Sequence, residues 1–287
     1  MKVVIIGSTG QLGQDLLRVF GDDAQGLNHQ DLDVTDSVGA LKELQELRPD
    51  WVINTAAYHR VDECEVNPSQ SLAVNALGAY NVARAAAAVG AGVVFFSTDY
   101  VFSGQHRHRH TPYVEHDGPK PINVYGASKL AGEQLVMLSS PRHLVVRTTG
   151  LYGVPPSRRG LKFPDMILNK ARTEGRVTVM TDQVLSPTFT ADLAAVVKQL
   201  VEREANGLFH LTNSGECSWF EFAREIVELA RLRVRMEPIW SEMAEQRVRR
   251  PCYSALASVR LAEVGVKPMR PWKEALKDYL CQKGVVC

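Results

Sequence analysis

The chain has 287 residues, 33 Lys plus Arg against 32 Asp plus Glu, and a formal net charge of +1. Hydrophobic residues make up 45% and charged ones 23%, an ordinary globular mix that excludes a disordered, collagenous or membrane-spanning chain. Near-neutral charge gives no electrostatic footprint for nucleic acid, so any bound anion must be gripped by a local site.

Strand and helix signals alternate through the first half. Val3–Ile6 reads as a strand, followed by a helix over Leu12–Phe20, a weaker strand at Ala24–Leu27 and a helix over Val38–Leu47. Then come a strand at Trp51–Asn54, a helix over Asn67–Val89, a strand at Val93–Ser97, a helix over Tyr125–Ser139 and a strand at Leu144–Arg147. The stronger strands are apolar throughout, as strands covered on both faces of a parallel sheet must be. The alternation predicts an α/β, Rossmann-type doubly wound parallel sheet.

Past Gly150 the texture changes. Val154 to Gly160 is a loop rich in breakers and positive charge. Further strands are expected at Val177–Met180 and Leu208–Leu211, and helices at Trp219–Leu229 and Pro271–Leu280. The chain exceeds the ~100–150 residues of one typical core. We therefore expect a large nucleotide-binding domain (1–150 and about 176–211) and a smaller α/β substrate lobe (about 151–175 and 212–287).

Five scattered cysteines (Cys64, Cys217, Cys252, Cys281, Cys287) show no C-x-x-C spacing, which points to free thiols in a reducing cytoplasm and to no zinc site. The N-terminal apolar run is too short for a secretory signal. The tract His106–His110, alternating with Arg, has no Cys or carboxylate in step and reads as an exposed loop. Asp15 and Asp192 read as solvated helix acids, and no metal ligand is assigned.

Gly7-Ser8-Thr9-Gly10-Gln11-Leu12-Gly13 follows the first strand and opens a helix. Glycine there lets backbone approach a pyrophosphate, while the helix start offers unpaired N–H groups and its dipole. Thr9, Gln11 and Leu12 belong to the same cradle. The second strand ends at Leu27-Asn28-His29 with no acid to bond a ribose 2′-hydroxyl, which favours NADPH while leaving NADH possible. Asn28 is then a ribose candidate, and Asp33-Val34 can lie beside the adenine.

Tyr125 and Lys129, spaced i and i+4, share a helical face. A tyrosine of pKa ~10 is a poor acid or base at neutral pH, and a nearby ammonium lowers that pKa. Ser97-Thr98-Asp99-Tyr100 ends the fourth strand, where residues face the ligand crevice. Thr98 can there hydrogen-bond the oxygen that Tyr125 protonates.

Together, Gly7-x-x-Gly10-x-x-Gly13, Asn54-Thr55-Ala56-Ala57-Tyr58, Ser97-Thr98-Asp99-Tyr100-Val101-Phe102 and Tyr125-x-x-x-Lys129 resemble the extended short-chain dehydrogenase/reductase superfamily. Val61-Asp62-x-x-Glu65, Asp182-Gln183-x-x-x-Pro187-Thr188 and Arg250-Pro251-x-x-Ser254 narrow the resemblance to the dTDP-4-dehydrorhamnose reductases. It implies reduction of the C4 keto group of a dTDP-bound 4-keto-6-deoxy sugar, with Thr98, Tyr125 and Lys129 catalytic. It implies that Ala56, Ala57, Tyr58 and Asn75 line the cofactor, and that Val61, Asp62, Tyr100 and Arg250 meet the sugar nucleotide. It also allows a homodimer.

The chain departs from that pattern at His59-Arg60, where a threonine is common. It departs again at Gly150, where an aromatic residue often follows the Arg-Thr pair. The alternatives are another nucleotide-sugar reductase or epimerase, or a non-catalytic nucleotide-binding subunit. A dehydratase is disfavoured because Tyr100, not Glu, follows Asp99.

Overall fold

The four residues Val3-Val4-Ile5-Ile6 are all buried, and a strand buried on both faces needs a protein layer on each side. A computed structural model describes residues 1–104, 111–156, 160–243 and 248–286 and supplies those layers. The His106–His110 tract lies outside the described residues.

The chain runs β1 (Val3–Ile6), α1 (Gln11–Phe20), β2 (Ala24–Leu27), α2 (Ser37–Leu47) and β3 (Trp51–Asn54). Next come α3 (Val61–Val66), α4 (Pro68–Leu72), a π-helical segment (Ala73–Gly78) and α5 (Ala79–Ala88). β4 (Gly92–Thr98), α6 (Val124–Ser139) and β5 (His143–Thr148) complete the first half. The second half contains β6 (Leu151–Tyr152), α7 (Phe163–Thr173), β7 (Arg176–Met180), β8 (Val184–Leu185) and β9 (Thr188–Phe189). It continues through α8 (Thr190–Glu202), β10 (Gly207–His210), β11 (Cys217–Ser218), α9 (Trp219–Leu229), β12 (Arg235–Ile239) and α10 (Trp272–Gln282).

Six strands form one parallel sheet in the order β10-β5-β4-β3-β1-β2. From β1 the chain first moves out to β2, then returns to β3 on the other side. That reversal makes a topological switch point at the carboxyl ends of β1 and β3. Alternate side chains feed two cores: Val3 and Ile5 pack with Leu16 and Leu193 on one face. On the other, Val4 and Ile6 pack with Leu44, Val82 and Val136. No described helix is long and apolar enough to cross a membrane.

A third apolar cluster joins Tyr152, Ile167, Phe189, Phe222, Leu276 and Tyr279 into a separate lobe. β7 belongs to it: the strand pairs with β12, and Val177 and Val179 face the lobe core. The expected return of the chain to the large sheet at about residue 176 therefore comes later, through α8 and β10. Arg176-Val177-Thr178-Val179 alternates exposed and buried, which suits a strand with one solvated face and not a doubly covered sheet. β12, which carries Pro238, was not among the expected strands; proline is admitted at a sheet edge, and this two-stranded sheet is all edge. The expected helix over 67–89 is interrupted by the π-helical turn around Asn75.

At the carboxyl end of β5, Arg147 reaches α6 and forms a two-pronged pair with Glu133. Nε donates to Oε1 at 2.9 Å and Nη2 to Oε2 at 2.7 Å. The side chains are 3% and 0% exposed. Removing one partner leaves a buried charge uncompensated. Glu133→Ala should therefore lower unfolding free energy by about 3–5 kcal/mol. The double replacement Glu133→Leu with Arg147→Met should recover most of that loss, as read by denaturant unfolding of both variants.

Candidate active site

The first turn after β1 brings backbone, rather than side chains, to the switch point. Gly7 has φ +78°, and a Cβ there would lie 2.5 Å from Thr55 Oγ1; at Gly13 it would lie 2.5 Å from the Gly7 carbonyl oxygen. No side chain caps the start of α1. Its first N–H groups and the positive end of its dipole are therefore available to an anion.

These residues line a cleft of about 510 Å³ that includes Thr9, Gly10, Gln11 and Leu12, and continues past Ala57 to Tyr125 and Lys129. Ser97 Oγ and Thr148 Oγ1, on the walls of the same cleft, are buried without hydrogen-bond partners among the described residues. An elongated cleft with a bare backbone cradle and orphaned hydroxyls fits a dinucleotide.

Thr98 ends β4 beside Thr148 of β5. α6 is held hard against this corner: a Cβ at Gly126 would lie 2.1 Å from the Tyr100 carbonyl oxygen. Asn123 caps the helix by accepting from the Gly126 N–H at 2.8 Å, and its amide donates to the Arg249 carbonyl at 3.0 Å. Tyr125 is thereby placed with Thr98 on the wall of the same cleft. Thr98 donates to Asp99 at 3.0 Å, and Ser254 donates to the other carboxylate oxygen at 2.5 Å.

Burial governs the protonation of this cluster. It pushes the Asp99 carboxyl up to about 6 despite its hydroxyl donors. Burial and then the Asp99 charge raise the Tyr125 phenol well above its ordinary value. The expected lowering by Lys129 does not prevail, because burial also drives the lysine down to about 7, against a weaker upward pull from Glu133. Lys129 Nζ sits 4.1 Å above the centre of the Phe95 ring, a partial compensation for lost water.

A smaller cavity of about 150 Å³ adjoins the cleft, and the two share Thr98, Asp99, Tyr125, Thr149 and Gly150. Val61 and Tyr100 line the smaller one. Asp62 and Arg250 lie close by and pair with each other at 3.0 Å, joining α3 to the C-terminal segment. Gly150 has φ +57°, and the space its Cβ would take is filled by Leu185, 2.6 Å away. The wall beside the shared residues is therefore aliphatic.

Several of the residues expected at the cofactor also make contacts within the chain. The Asn28 carboxamide oxygen accepts from the Gln30 N–H at 2.7 Å. Asp33 holds the Thr35 N–H and hydroxyl, and Val34 is buried against Gly78. Asn75 clamps the Tyr58 backbone through both its N–H and carbonyl, at 2.9 and 2.8 Å, and reaches Ser128 at 3.0 Å. The Ala56 N–H is held by Asn54. Asp15 is not a solvated acid: it is 1% exposed and accepts from Thr190 and Arg18, while the partly exposed Asp192 pairs with Arg270. No group of three metal-binding side chains occurs among the described residues.

Sequence reasoning passed over His29, which lines the large cleft, and Trp219, which lines the small one. His29 directly follows Asn28, so the end of β2 carried the signal at one residue's remove. Trp219 belongs to α9, and only the packing of the lobe brings it here.

Lys129 makes a testable contribution to stability. At pH below about 7 both folded and unfolded states carry its proton, and the folded state bears the desolvation cost. Between about 7 and 10.5 the unfolded chain retains a proton that the folded one has released, so stability rises with pH across that window. Lys129→Met should be more stable than the parent near pH 6, with the advantage shrinking by pH 9. Chemical denaturation at the two pH values checks this.

The RmlD substrate binding domain family matches residues 1–284. A dTDP-4-dehydrorhamnose reductase of Mycolicibacterium smegmatis is 38% identical over 96% of this chain and 84% of that protein. The crystal structure of a dTDP-4-dehydrorhamnose reductase from Clostridium acetobutylicum superposes with a TM-score of 0.94 at 37% identity, covering 99% of this chain and 100% of that one. One from Bacillus anthracis, in complex with NADP, gives 0.92 at 36% identity over 98% and 100%. The resemblance read from the motifs thus holds at the level of the family: the chain belongs to the RmlD substrate binding domain family.

Proposed function

We propose that the protein is an NADPH-dependent reductase that converts the C4 keto group of dTDP-4-dehydrorhamnose to the alcohol of dTDP-L-rhamnose. The observation that carries this reading is the meeting of two cavities at Thr98 and Tyr125. One has the length and bare backbone for a dinucleotide. The other has room for one sugar ring. The NADP complex of a close structural neighbour supports the choice of cofactor.

Gly7, Thr9, Gly10, Gln11, Leu12 and Gly13 would hold the pyrophosphate and adjoining ribose, with Ala57 and Lys129 further along. When bound, reduced nicotinamide supplies the hydride. The chain's own residues handle the oxygen. Thr98 and Tyr125 orient the carbonyl, and the Tyr125 phenol, kept protonated by burial, donates its proton as negative charge builds there. Lys129, poised near neutrality by its burial, favours its charged form once a phenolate stands beside it. The buried walls exclude water from this exchange.

In this reading the sheet-bearing half holds the cofactor and the lobe supplies one wall of the sugar cavity. Asp62 and Arg250, paired with each other next to the cavity-lining Val61 and Pro251, would meet the sugar nucleotide. Arginine's planar fork suits a diphosphate. The described cysteines Cys64, Cys217, Cys252 and Cys281 are not in disulfides, in keeping with a reducing cytoplasm. The aliphatic wall at Gly150 and Leu185 favours, as a second reading, a related dTDP-4-keto sugar as substrate.

Purified protein should oxidise NADPH when a dTDP-4-keto-6-deoxy sugar is supplied and not otherwise. Tyr125→Phe should lower kcat by about 10²–10⁴, the range for loss of a general acid, with NADPH affinity nearly unchanged. Full turnover by Tyr125→Phe would sink the mechanism. Comparing several nucleotide sugars in the same assay separates the two substrate readings.

A further inference from the structure

The small cavity contains a polar group that carbonyl reduction at Tyr125 does not use. Gln183 lines it together with Tyr125 and Trp219. The residue is 4% exposed, and its Nε2 is buried without a hydrogen-bond partner among the described residues. Leaving an amide donor unpaired in the interior costs stability, and native structures keep few such groups without a reason.

The backbone on either side gives Gln183 little freedom to swing out. The Asp182 carboxylate accepts from the Ser241 N–H at 3.0 Å. The Gln183 carbonyl accepts from the Trp219 N–H at 3.1 Å, and the Val184 N–H donates to the Cys252 carbonyl at 2.8 Å. That same bond to Trp219 sets the start of α9 at the cavity. The Trp219 ring rests on Phe163, with ring centres 4.4 Å apart. A fixed donor and a braced aromatic side chain are thus delivered together to a space of about 150 Å³.

Resting on the reductase reading, we propose that Gln183 is a specificity-determining residue, whose carboxamide N–H donates to a ring hydroxyl of the keto sugar held at Thr98 and Tyr125. Trp219 forms an apolar wall of the same subsite. The ligand chemistry is a hydrogen-bond-accepting oxygen on the sugar ring beside the reacting carbonyl. A site built around such a bond discriminates against a sugar that lacks the oxygen, because its own donor is then left unpaired.

The test crosses two changes. Gln183→Leu, with Gln183→Met as a second variant of similar volume, removes the donor; keto-sugar nucleotides lacking the C2 or the C3 hydroxyl remove the acceptor. For the natural substrate, kcat/KM should fall about 10- to 100-fold in either variant, a range typical of one lost buried hydrogen bond. One of the deoxy analogues should show a similar loss with the parent enzyme and little further loss with the variants. NADPH affinity should be unchanged and Tm equal or higher, since an apolar group replaces an unpaired polar one.

Parent-like kcat/KM in both variants would overturn the proposal while leaving the reductase reading intact. Equal sensitivity of parent and variants to both deoxygenations would do the same, as would a loss accompanied by a lower Tm or weaker NADPH binding. A parent enzyme that turns over no keto-sugar nucleotide would remove the reductase reading and this inference with it.

Discussion

A parallel sheet covered on both faces admits polar side chains only where its strands run out, and this constraint arranges the molecule. β1 is apolar along its whole length, and β3, β4 and, past the partly exposed His143 that opens it, β5 carry no charged or polar side chain until they approach their carboxyl ends. There the residues change to Asn54, Ser97-Thr98, Arg147-Thr148 and, on β10, His210. Because the strands are parallel and in register, with Thr98 beside Thr148 and Ser97 beside Arg147, these groups gather on one edge. Some are spent on structure, as Arg147 is on Glu133. Others, Thr98 above all, remain at the cleft.

The lobe is tied to that edge by buried polar bonds, beyond apolar contact alone. Gln11, at the start of α1, donates to the carbonyls of Gly153 and Pro155 at 2.7 and 2.8 Å. Asp15, one turn further on, accepts from Thr190 at the start of α8. The helix that opens at the glycine turn is thus the helix that anchors the entry to the lobe. Asn123 similarly serves two ends, capping α6 and holding the segment that carries Arg250. Such satisfied polar joints fix geometry more sharply than hydrophobic packing, which tolerates sliding.

Enclosure also sets the electrostatics. The same burial raises a phenol and a carboxyl and lowers an ammonium, so Tyr125, Asp99 and Lys129 all move toward their neutral forms. The i, i+4 spacing alone suggested that Lys129 would pull Tyr125 down. In the folded protein desolvation dominates and raises the Tyr125 phenol instead.

The sheet strands and the helices between them were legible because each repeats one simple period over several residues. The glycine cradle and the Tyr125–Lys129 pair were legible because both are local in sequence. Asn75, Asn28 and Asp33 illustrate the limit: residue type marks a polar group as important, but its partner decides what it does. For Asn75 that partner is the backbone of Tyr58. Arg176–Met180 was recognisable as a strand, while its place in the lobe rested on β12, some sixty residues away and interrupted by a proline. By itself the sequence determined a parallel sheet of the nucleotide-binding type and marked the glycine turn, Thr98, Tyr125 and Lys129 as candidates, since short-range periodicity and spacing encode all of these. Only the tertiary structure decided where the lobe begins, which polar groups are free, and that Gln183 and Trp219 reach the cavity beside Tyr125, because contacts between distant segments depend on packing that no local pattern records.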